Sequence, residues 1–238
     1  MQALLFDNAE SQLIKSCYRP ILTVTENRKG VLDVDTVKGC AEGMRKYPNG
    51  GCYGECYAYR GAIRYGIDFS VSVSRKLLPS TAHHIFSIIK RHRAAWYRIG
   101  VAGDPCHDWE NTVLVCEAMR YTGKIPVIVT KHWLTLSDDH IARLRTANAV
   151  FNTSASGLDT DEEIEYRVSQ ILRLKRAGVT SACRVVTCRF GTSPWAKACD
   201  DKQRYLMSIT PVIDTPLRVS SSNEHVLNGD IVVGVRAC

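Results

Sequence analysis

The stretch GGCYGECYAYRGAIRYG, residues 50–66, passes from a glycine-rich loop with two cysteines into a run of helix formers that ends at a glycine. Upstream, the residues ILTVTE at 21–26 have the β-branched composition of a strand. The cysteines of this region are Cys40, Cys52 and Cys56. The pattern predicts that all three lie in the loop that joins the first strand to the first helix.

The rest of the chain alternates between β-rich and amphipathic runs. The predicted strands are 21–26, 97–102, 125–130, 149–154 and 179–187, with strand-like pieces at 209–213 and 231–235. The predicted helices are 57–65, 78–97, 109–121, 137–147, 159–177 and 195–207. Parallel strands need crossover connections, which are usually helices, so these units predict a parallel sheet. We expect an α/β fold with a full or partial barrel, and ligands at the carboxyl ends of its strands.

Length and composition predict one domain that spans residues 1–238, with a short C-terminal extension from about residue 208. No internal repeat divides the chain. The first residues, MQALLFDNAESQ, lack a signal-peptide pattern, and no apolar run approaches the ~20 residues that a bilayer requires. We therefore expect a soluble, cytoplasmic protein. Lysine plus arginine exceed aspartate plus glutamate by 31 − 24 = 7, which favours phosphate-bearing partners such as nucleic acid.

In a reducing compartment, cysteines are retained for packing, metal ligation or catalysis. A structural zinc usually takes four protein ligands, commonly as two close pairs, and no second close pair follows Cys52 and Cys56. Three thiolates without a fourth suit a cubic iron–sulfur cluster with one iron left open. The alternative of another class is a zinc-stabilised nucleic-acid-binding module, in which a distant cysteine or histidine completes the site.

A second motif lies at the end of the next predicted strand, where residues 99–105 read IGVAGDP. Backbone carbonyls in such a turn can accept hydrogen bonds from an ammonium group. Pro105 stiffens the turn and offers no competing donor. Gly103 and Asp104 occupy the centre of this candidate binding turn.

With the cysteine loop and the Gly-Asp-Pro turn in this order, residues 20–190 resemble the radical S-adenosylmethionine (SAM) superfamily. Its cluster loop follows the first strand of a partial barrel, and its cysteines are typically spaced by three and two residues, with an aromatic residue before the last. Here the spacing is eleven and three, and the aromatic Tyr57 follows the last cysteine. The Gly-Asp-Pro turn is similar to the Gly-Gly-Glu-Pro motif that receives the SAM amino group in that family.

The resemblance implies a partial (β/α)6 barrel of radical SAM type with parallel strands, and a cluster loop at residues 39–57. It also implies a [4Fe–4S] cluster as the metal centre, held by Cys40, Cys52 and Cys56, and SAM as the second cofactor. The SAM-binding residues that it implies are Tyr57, Gly103, Asp104, Asn152, Ser154, Ser156 and Arg184. The alternatives are that Tyr57 packs in the core, that the serines belong to a turn and cap, and that Arg184 is paired structurally.

Substrate contacts are expected from the other strand ends. Lys131 and His132 follow the third predicted strand, and we expect them to point toward the barrel mouth, where they could bind an anionic group. Cys106, beside the Gly-Asp-Pro turn, is a candidate hydrogen donor or thiyl. An ordinary surface role is the alternative for Lys131 and His132.

The resemblance implies an enzyme that uses a 5′-deoxyadenosyl radical to abstract hydrogen from its substrate. Small members of this superfamily are similar to bacteriophage enzymes of DNA modification, including an isomerase that converts a nitrogen-linked glycine on thymidine into a carbon-linked one. A DNA or modified-nucleotide substrate suits the charge of +7 and the basic residues Lys90, Arg91, Arg93 and Arg98. We further expect a monomer in the host cytoplasm, with an external electron donor such as flavodoxin. The alternatives within the superfamily are a repair lyase and a peptide-modifying enzyme.

Overall fold

The computed structural model describes residues 19–45, 56–209, 215–217 and 224–232. The strands are β1 Thr25–Glu26, β2 Leu32–Asp33, β3 Val37–Lys38, β4 Val73–Ser74, β5 Trp96–Ile99, β6 Ile125–Thr130, β7 Val150–Ala155, β8 Thr180–Thr187, β9 Arg189–Phe190, β10 Thr215–Pro216 and β11 Ile231–Val232. The helices are α1 Ala41–Arg45, α2 Tyr57–Arg64, α3 Pro79–Arg91, α4 Trp109–Met119, α5 Asp138–Thr146, α6 Asp161–Arg176, α7 Pro194–Ile209 and α8 Glu224–Leu227. Short 3₁₀ turns cover Pro105–Asp108 and Arg120–Thr122.

The central element is a seven-stranded sheet in the order β1-β2-β5-β6-β7-β8-β10. The edge strand β1 is antiparallel to β2. The other strands of this sheet pair in parallel, in the order β2, β5, β6, β7, β8 and β10. The sheet curls into a half-barrel. The predicted α/β class with parallel strands is therefore confirmed, and the curl is compatible with a partial barrel.

The two faces of the sheet differ in burial, because successive strand residues point to opposite sides. Tyr97, Ile128 and Phe151 are at most 1% exposed, and they belong to one core cluster with residues of α3, α4 and α5. Their neighbours along the strands, such as Arg98 and Val127, are only half-buried. We call this second, concave side the lumen, lined by Arg98, Val127, Val129, Asn152, Ala182 and Arg184. Parallel sheets usually have both faces covered, so a half-exposed concave face provides room for a ligand.

The first parallel strand is not where the sequence predicted it. The predicted strand 21–26 contributes only β1, an exposed antiparallel edge, and the parallel part of the sheet begins at β2. The cause is a turn between them, in which the Asn27 side chain accepts a hydrogen bond from the Lys29 amide at 2.9 Å. Gly30 completes the turn with a φ of 70°. The chain then reverses, and Leu32, which is 3% exposed, enters the core.

Several further boundaries differ from the sequence prediction, and the strand predicted at 97–102 ends at Ile99. The helix predicted at 78–97 ends at Arg91, because His92 adopts an extended conformation and its carbonyl accepts from the Lys124 ammonium at 2.7 Å. The short helix α1 interrupts the predicted loop directly after Cys40. Of the strand-like pieces in the tail, 231–235 contributes β11, whereas residues 210–213 lie outside the described part of the chain. By contrast, β6 has the predicted bounds.

Within the described ranges, no helix combines the length and apolar character needed to cross a bilayer.

A buried ion-pair network ties α6 to the sheet. Asp159 is 0% exposed and lies 2.7 Å from the Lys131 ammonium and 2.5 Å from the Arg167 guanidinium. Arg167 Nε also donates to the Lys131 carbonyl at 3.0 Å. Burial alone would raise the pKa of Asp159, but the two cations outweigh it and hold that pKa at about 2. The carboxylate is therefore charged, and it compensates two buried cations.

Replacement of Asp159 by alanine is expected to lower the free energy of unfolding by about 3–5 kcal/mol, because it strands Lys131 and Arg167 without their counter-charge. The matched control is Asp161→Ala. The Asp161 side chain is 78% exposed and lies 3.4 Å from Lys202, so its loss should cost under about 1 kcal/mol. Urea unfolding at pH 7 measures both values. Equal, small effects of the two substitutions would contradict the stabilising role of the buried network.

Candidate functional site

The cysteine segment and the Gly-Asp-Pro turn are in direct contact. Gly39 N donates to the Ala102 carbonyl at 3.0 Å, and Gly39 pairs with Gly103 as an isolated parallel bridge. A Cβ atom on Gly103 would lie 2.6 Å from the Val37 carbonyl oxygen and 2.7 Å from that of Gly39. Only glycine fits such an approach. The two motifs that carry the resemblance therefore meet at one place, with Cys40 as the next residue.

The described thiols of the predicted cluster loop share a small apolar cluster. Cys40 is 7% exposed, and its amide donates to the Phe69 carbonyl at 2.9 Å. Cys56 occupies the N-cap position of α2. Both side chains border the cluster around Ala62 and Phe69. Cys52 lies outside the described residues, and among those described no three potential ligand side chains form a metal-binding group.

Asp35, which the sequence analysis did not single out, fixes the strand end that precedes the turn. Its carboxylate accepts hydrogen bonds from the amides of Gly100, Val101 and Ala102 at 2.7–3.1 Å. Burial raises the pKa of Asp35, and the amide hydrogen bonds oppose that shift. The Asp-Val-Asp alternation at 33–35, with the fully buried Val34 between two carboxylates, is the signal that could have revealed it.

Tyr57 reaches across the mouth of the lumen. Its hydroxyl donates to the Val101 carbonyl at 2.6 Å. Although the residue as a whole is 45% exposed, desolvation of the hydroxyl raises the pKa of Tyr57 to about 12. The charges that act on this hydroxyl include those of Arg98, Asp35 and Arg184. The hydrogen bond to Val101 therefore joins the start of α2 to the chain just after β5.

The Asp104 carboxylate is used within the protein. It accepts hydrogen bonds from the Thr130 hydroxyl at 2.6 Å, the Lys131 amide at 2.7 Å and the Cys106 amide at 3.1 Å. These contacts hold the Gly-Asp-Pro turn against the end of β6. The side chain of Asp104 thus shapes the turn.

The opposite wall of the lumen carries the predicted polar residues of β7 and β8. Ser154 and Arg184 are register partners, and Arg184 Nη1 donates to the Ser154 hydroxyl at 3.3 Å. Asn152 is half-buried on the same strand. Ser156 is 3% exposed, and its hydroxyl has no hydrogen-bond partner among the described residues.

Lys131 and His132 lie in the core, whereas the sequence analysis expected them at the barrel mouth. Lys131 belongs to the ion-pair network with Asp159. His132 is 1% exposed, stacks on Phe151 with ring centroids 5.9 Å apart, and contacts the Thr153 hydroxyl through Nε2 at 3.1 Å. The physical reason is local: Lys131 finds its counter-charge in the buried Asp159, and His132, at a φ of 52°, packs its ring on Phe151.

Cys106 is also buried. Its side chain is 1% exposed and packs in the main core cluster with Trp109. Burial strongly raises the pKa of the Cys106 thiol, and the charge of Asp104 raises it further. The thiol is therefore held protonated and faces the core.

The basic residues expected to act together are divided between two faces. Arg98 lies in the lumen and is paired with Asp33, whereas Lys90 and Arg91 are on the last turn of α3. Arg93 follows that helix, with its side chain 80% exposed. A groove along the outer side of α3 is lined by His83, His84, Ser87, Ile88 and Arg91.

Comparisons with known proteins give no relative: no protein family matches the chain, and no curated protein matches it.

Alanine substitutions at two glycines, one at the contact and one away from it, test the contact between the two motifs. Gly103→Ala is expected to lower the free energy of unfolding by about 3 kcal/mol or more, because the new methyl group forces two backbones apart. Gly61→Ala is the control, since a Cβ at Gly61 in α2 meets nothing within 4 Å and alanine favours a helix by about 1 kcal/mol. Thermal unfolding of both variants checks the prediction. A neutral Gly103→Ala substitution would contradict the close approach.

The burial of His132 predicts a pH dependence of stability. Desolvation lowers the pKa of His132 from 6.5 to about 4. As pH falls from about 6.5 to about 4, the unfolded chain takes up a proton that the folded protein does not bind, so stability decreases, by up to about 1.4 kcal/mol per pH unit. His132→Asn tolerates the positive φ and should flatten this slope in urea unfolding. The exposed His84→Asn should not. An unchanged slope in His132→Asn would refute the assignment.

Proposed function

We propose that the protein is a radical SAM enzyme. The observation that carries the proposal is the backbone contact between Gly39 and Gly103. It joins a cysteine loop to a glycine-containing turn at the carboxyl end of β5, in a half-barrel of parallel strands. Ligands of parallel α/β sheets bind at this end of the strands.

The thiols fit a [4Fe–4S] cluster. Cys40 and Cys56 border one apolar cluster beside the turn, and Cys52, four residues before Cys56, is the third proposed ligand. Soft thiolates select iron–sulfur clusters, and an apolar surrounding limits the access of water to them. The reactive iron would be the one without a cysteine ligand.

The proposed SAM site lies between the Gly-Asp-Pro turn and the polar residues of β7 and β8. The backbone of Gly103 and Asp104 is assigned to the SAM amino group, because the Asp104 side chain is already used in hydrogen bonds to the protein. Arg184 is assigned to the carboxylate, since a guanidinium binds carboxylates through paired N–H donors. The remaining proposed contacts are Tyr57, Asn152, Ser154 and the unsatisfied hydroxyl of Ser156.

When bound, these cofactors supply a 5′-deoxyadenosyl radical, and an external donor such as flavodoxin supplies the electron. The protein must place the reacting groups and exclude water and stray hydrogen donors. The lumen suits that task, because Val127, Val129 and Ala182 give it an apolar wall between its two arginines. Lys131, His132 and Cys106 are buried, and their side chains are engaged by Asp159, by Phe151 and by the main core cluster, so we assign them structural roles.

For the substrate, we propose an amino-acid-modified thymidine in phage DNA, rearranged from a nitrogen-linked to a carbon-linked glycine. Such a rearrangement breaks one C–N bond and one C–H bond of the glycine α-carbon, and it forms one C–C bond and one N–H bond, so it is an isomerisation without net oxidation. The formal charge of +7 and the arginines of the lumen support an anionic substrate. A repair lyase or a peptide-modifying enzyme is the alternative within the same chemistry.

The proposal is tested by anaerobic reconstitution with iron and sulfide. The wild type should bind about four irons per chain and, with SAM and dithionite, form 5′-deoxyadenosine. Cys40→Ala, Cys52→Ala and Cys56→Ala should each lose most of the iron and all of the product. Cys116→Ala, a substitution in the core away from the loop, should retain both. A colourless wild type with one tightly bound zinc would instead establish the zinc-stabilised nucleic-acid-binding module.

A further inference from the structure

The guanidinium of Arg98 is held in the lumen with one edge oriented to bind an anion. The guanidinium donates through Nε to one oxygen of Asp33 at 3.0 Å and through Nη2 to the other at 3.2 Å. Asp33 is itself oriented by the Asn27 side-chain amide at 3.1 Å. A guanidinium held by two fixed hydrogen bonds loses little further freedom when it binds a ligand.

The pairing with Asp33 uses only one side of the guanidinium. Arginine has five N–H donors in a fixed fork, and Asp33 takes two of them. Nη1 has no acceptor among the described residues, so its two donors and one on Nη2 remain. One N–H of Nη1 and the remaining N–H of Nη2 are parallel, and together they match the two oxygens of a carboxylate. The Arg98 side chain is 33% exposed, and this edge is therefore open to a ligand.

The surroundings place this edge on the ligand side of the sheet. Arg98 is the register partner of Val127, a lumen residue of β6. Arg184 lies on the same face, because its register partner Ser154 is two residues from Asn152, the partner of the lumen residue Val129. Two arginines therefore belong to the lumen face, one on β5 and one on β8. Arg184 is already assigned to the SAM carboxylate, which leaves Arg98 for a second anion.

We propose that Arg98 determines specificity by binding the free carboxylate of the amino-acid substituent on the proposed substrate. This inference rests on the proposed function. A carboxylate on a flipped-out base can enter a recess between strands, whereas the phosphates of DNA follow the outside of the duplex and reach surface cations instead. Asp33 beside Arg98 also disfavours a more highly charged group. Arg98 thus selects the amino-acid part of the substrate.

The test uses thymidine with glycine attached through nitrogen to its methyl carbon, together with the methyl ester of the same compound. Binding is measured by anaerobic titration calorimetry on cluster-loaded protein with SAM present. The wild type should bind the acid about 10- to 100-fold more tightly than the ester, the range expected for hydrogen bonds to a charged group. Arg98→Gln should bind both compounds with the affinity of the ester. Arg98→Lys, which keeps the charge but not the fork, should recover only part of the preference.

Arg93→Gln is the matched control, because it removes an exposed cation from the same region and should preserve the preference. The double variant Asp33→Asn with Arg98→Gln removes both charges of this ion pair, so it avoids leaving Asp33 unpaired. It should also bind the acid and the ester equally, and it serves as the test if Arg98→Gln alone is unstable. Retention of the acid preference in either Arg98→Gln protein overturns the inference. Displacement of the acid by dithymidine monophosphate in the wild type but not in the variants would assign Arg98 to phosphate.

Failure of this inference differs from failure of the proposed function. If 5′-deoxyadenosine forms but neither the acid nor the ester binds to the wild type, the proposed substrate class is wrong and the radical chemistry stands. If the protein binds no cluster and forms no 5′-deoxyadenosine, the proposed function fails first.

Discussion

The candidate site depends on one backbone contact, the approach of Gly39 to Gly103. A side chain at Gly103 would meet two carbonyl oxygens within 2.7 Å, so the approach requires glycine. It brings the start of the cysteine segment onto the strand end after β5, while Asp35 fixes that strand end through three amides. The contact therefore holds together two chain segments that are more than 60 residues apart in the sequence.

The half-barrel then separates a buried, paired charge network from the part-exposed charges of its concave face. On the helix-covered side, Lys131, Arg167 and Asp159 form a compensated buried network. On the concave side, Arg98 and Arg184 remain part-exposed. Buried charges that lack partners are costly, so each member of this network needs its counter-charge. The part-exposed arginines are the ones available to a substrate or cofactor, and for this reason the proposed roles fall on them.

Much of the fold could be predicted from local signals. β6 is an apolar run with clear ends, and α6 begins with a capping box at Thr160 and Glu163, so the predicted positions were close to those observed. β2 was missed because it is two residues long, and its place depends on pairing with β5, a contact that periodicity does not show. Short strands in parallel sheets are set by such distant partners.

The candidate site was less predictable than the fold. Position after a strand suggested that Lys131 and His132 face a ligand, but Lys131 pairs with the buried Asp159 and His132 stacks on Phe151. Arg98 was grouped with basic residues of the preceding helix, since chain proximity does not reveal which face a strand residue occupies. The alternation of Asp33, Val34 and Asp35 carried the missing information, because it places two carboxylates on the same side as the lumen.

The most direct test of the account is electron paramagnetic resonance of the dithionite-reduced, anaerobically reconstituted protein, recorded with and without SAM. We expect the signal of a reduced [4Fe–4S] cluster whose g-values change when SAM is added, because the proposed site would hold SAM at the Gly103 turn against the open iron. A cluster signal that SAM leaves unchanged, or the absence of any cluster signal in iron-loaded wild type, would contradict the account.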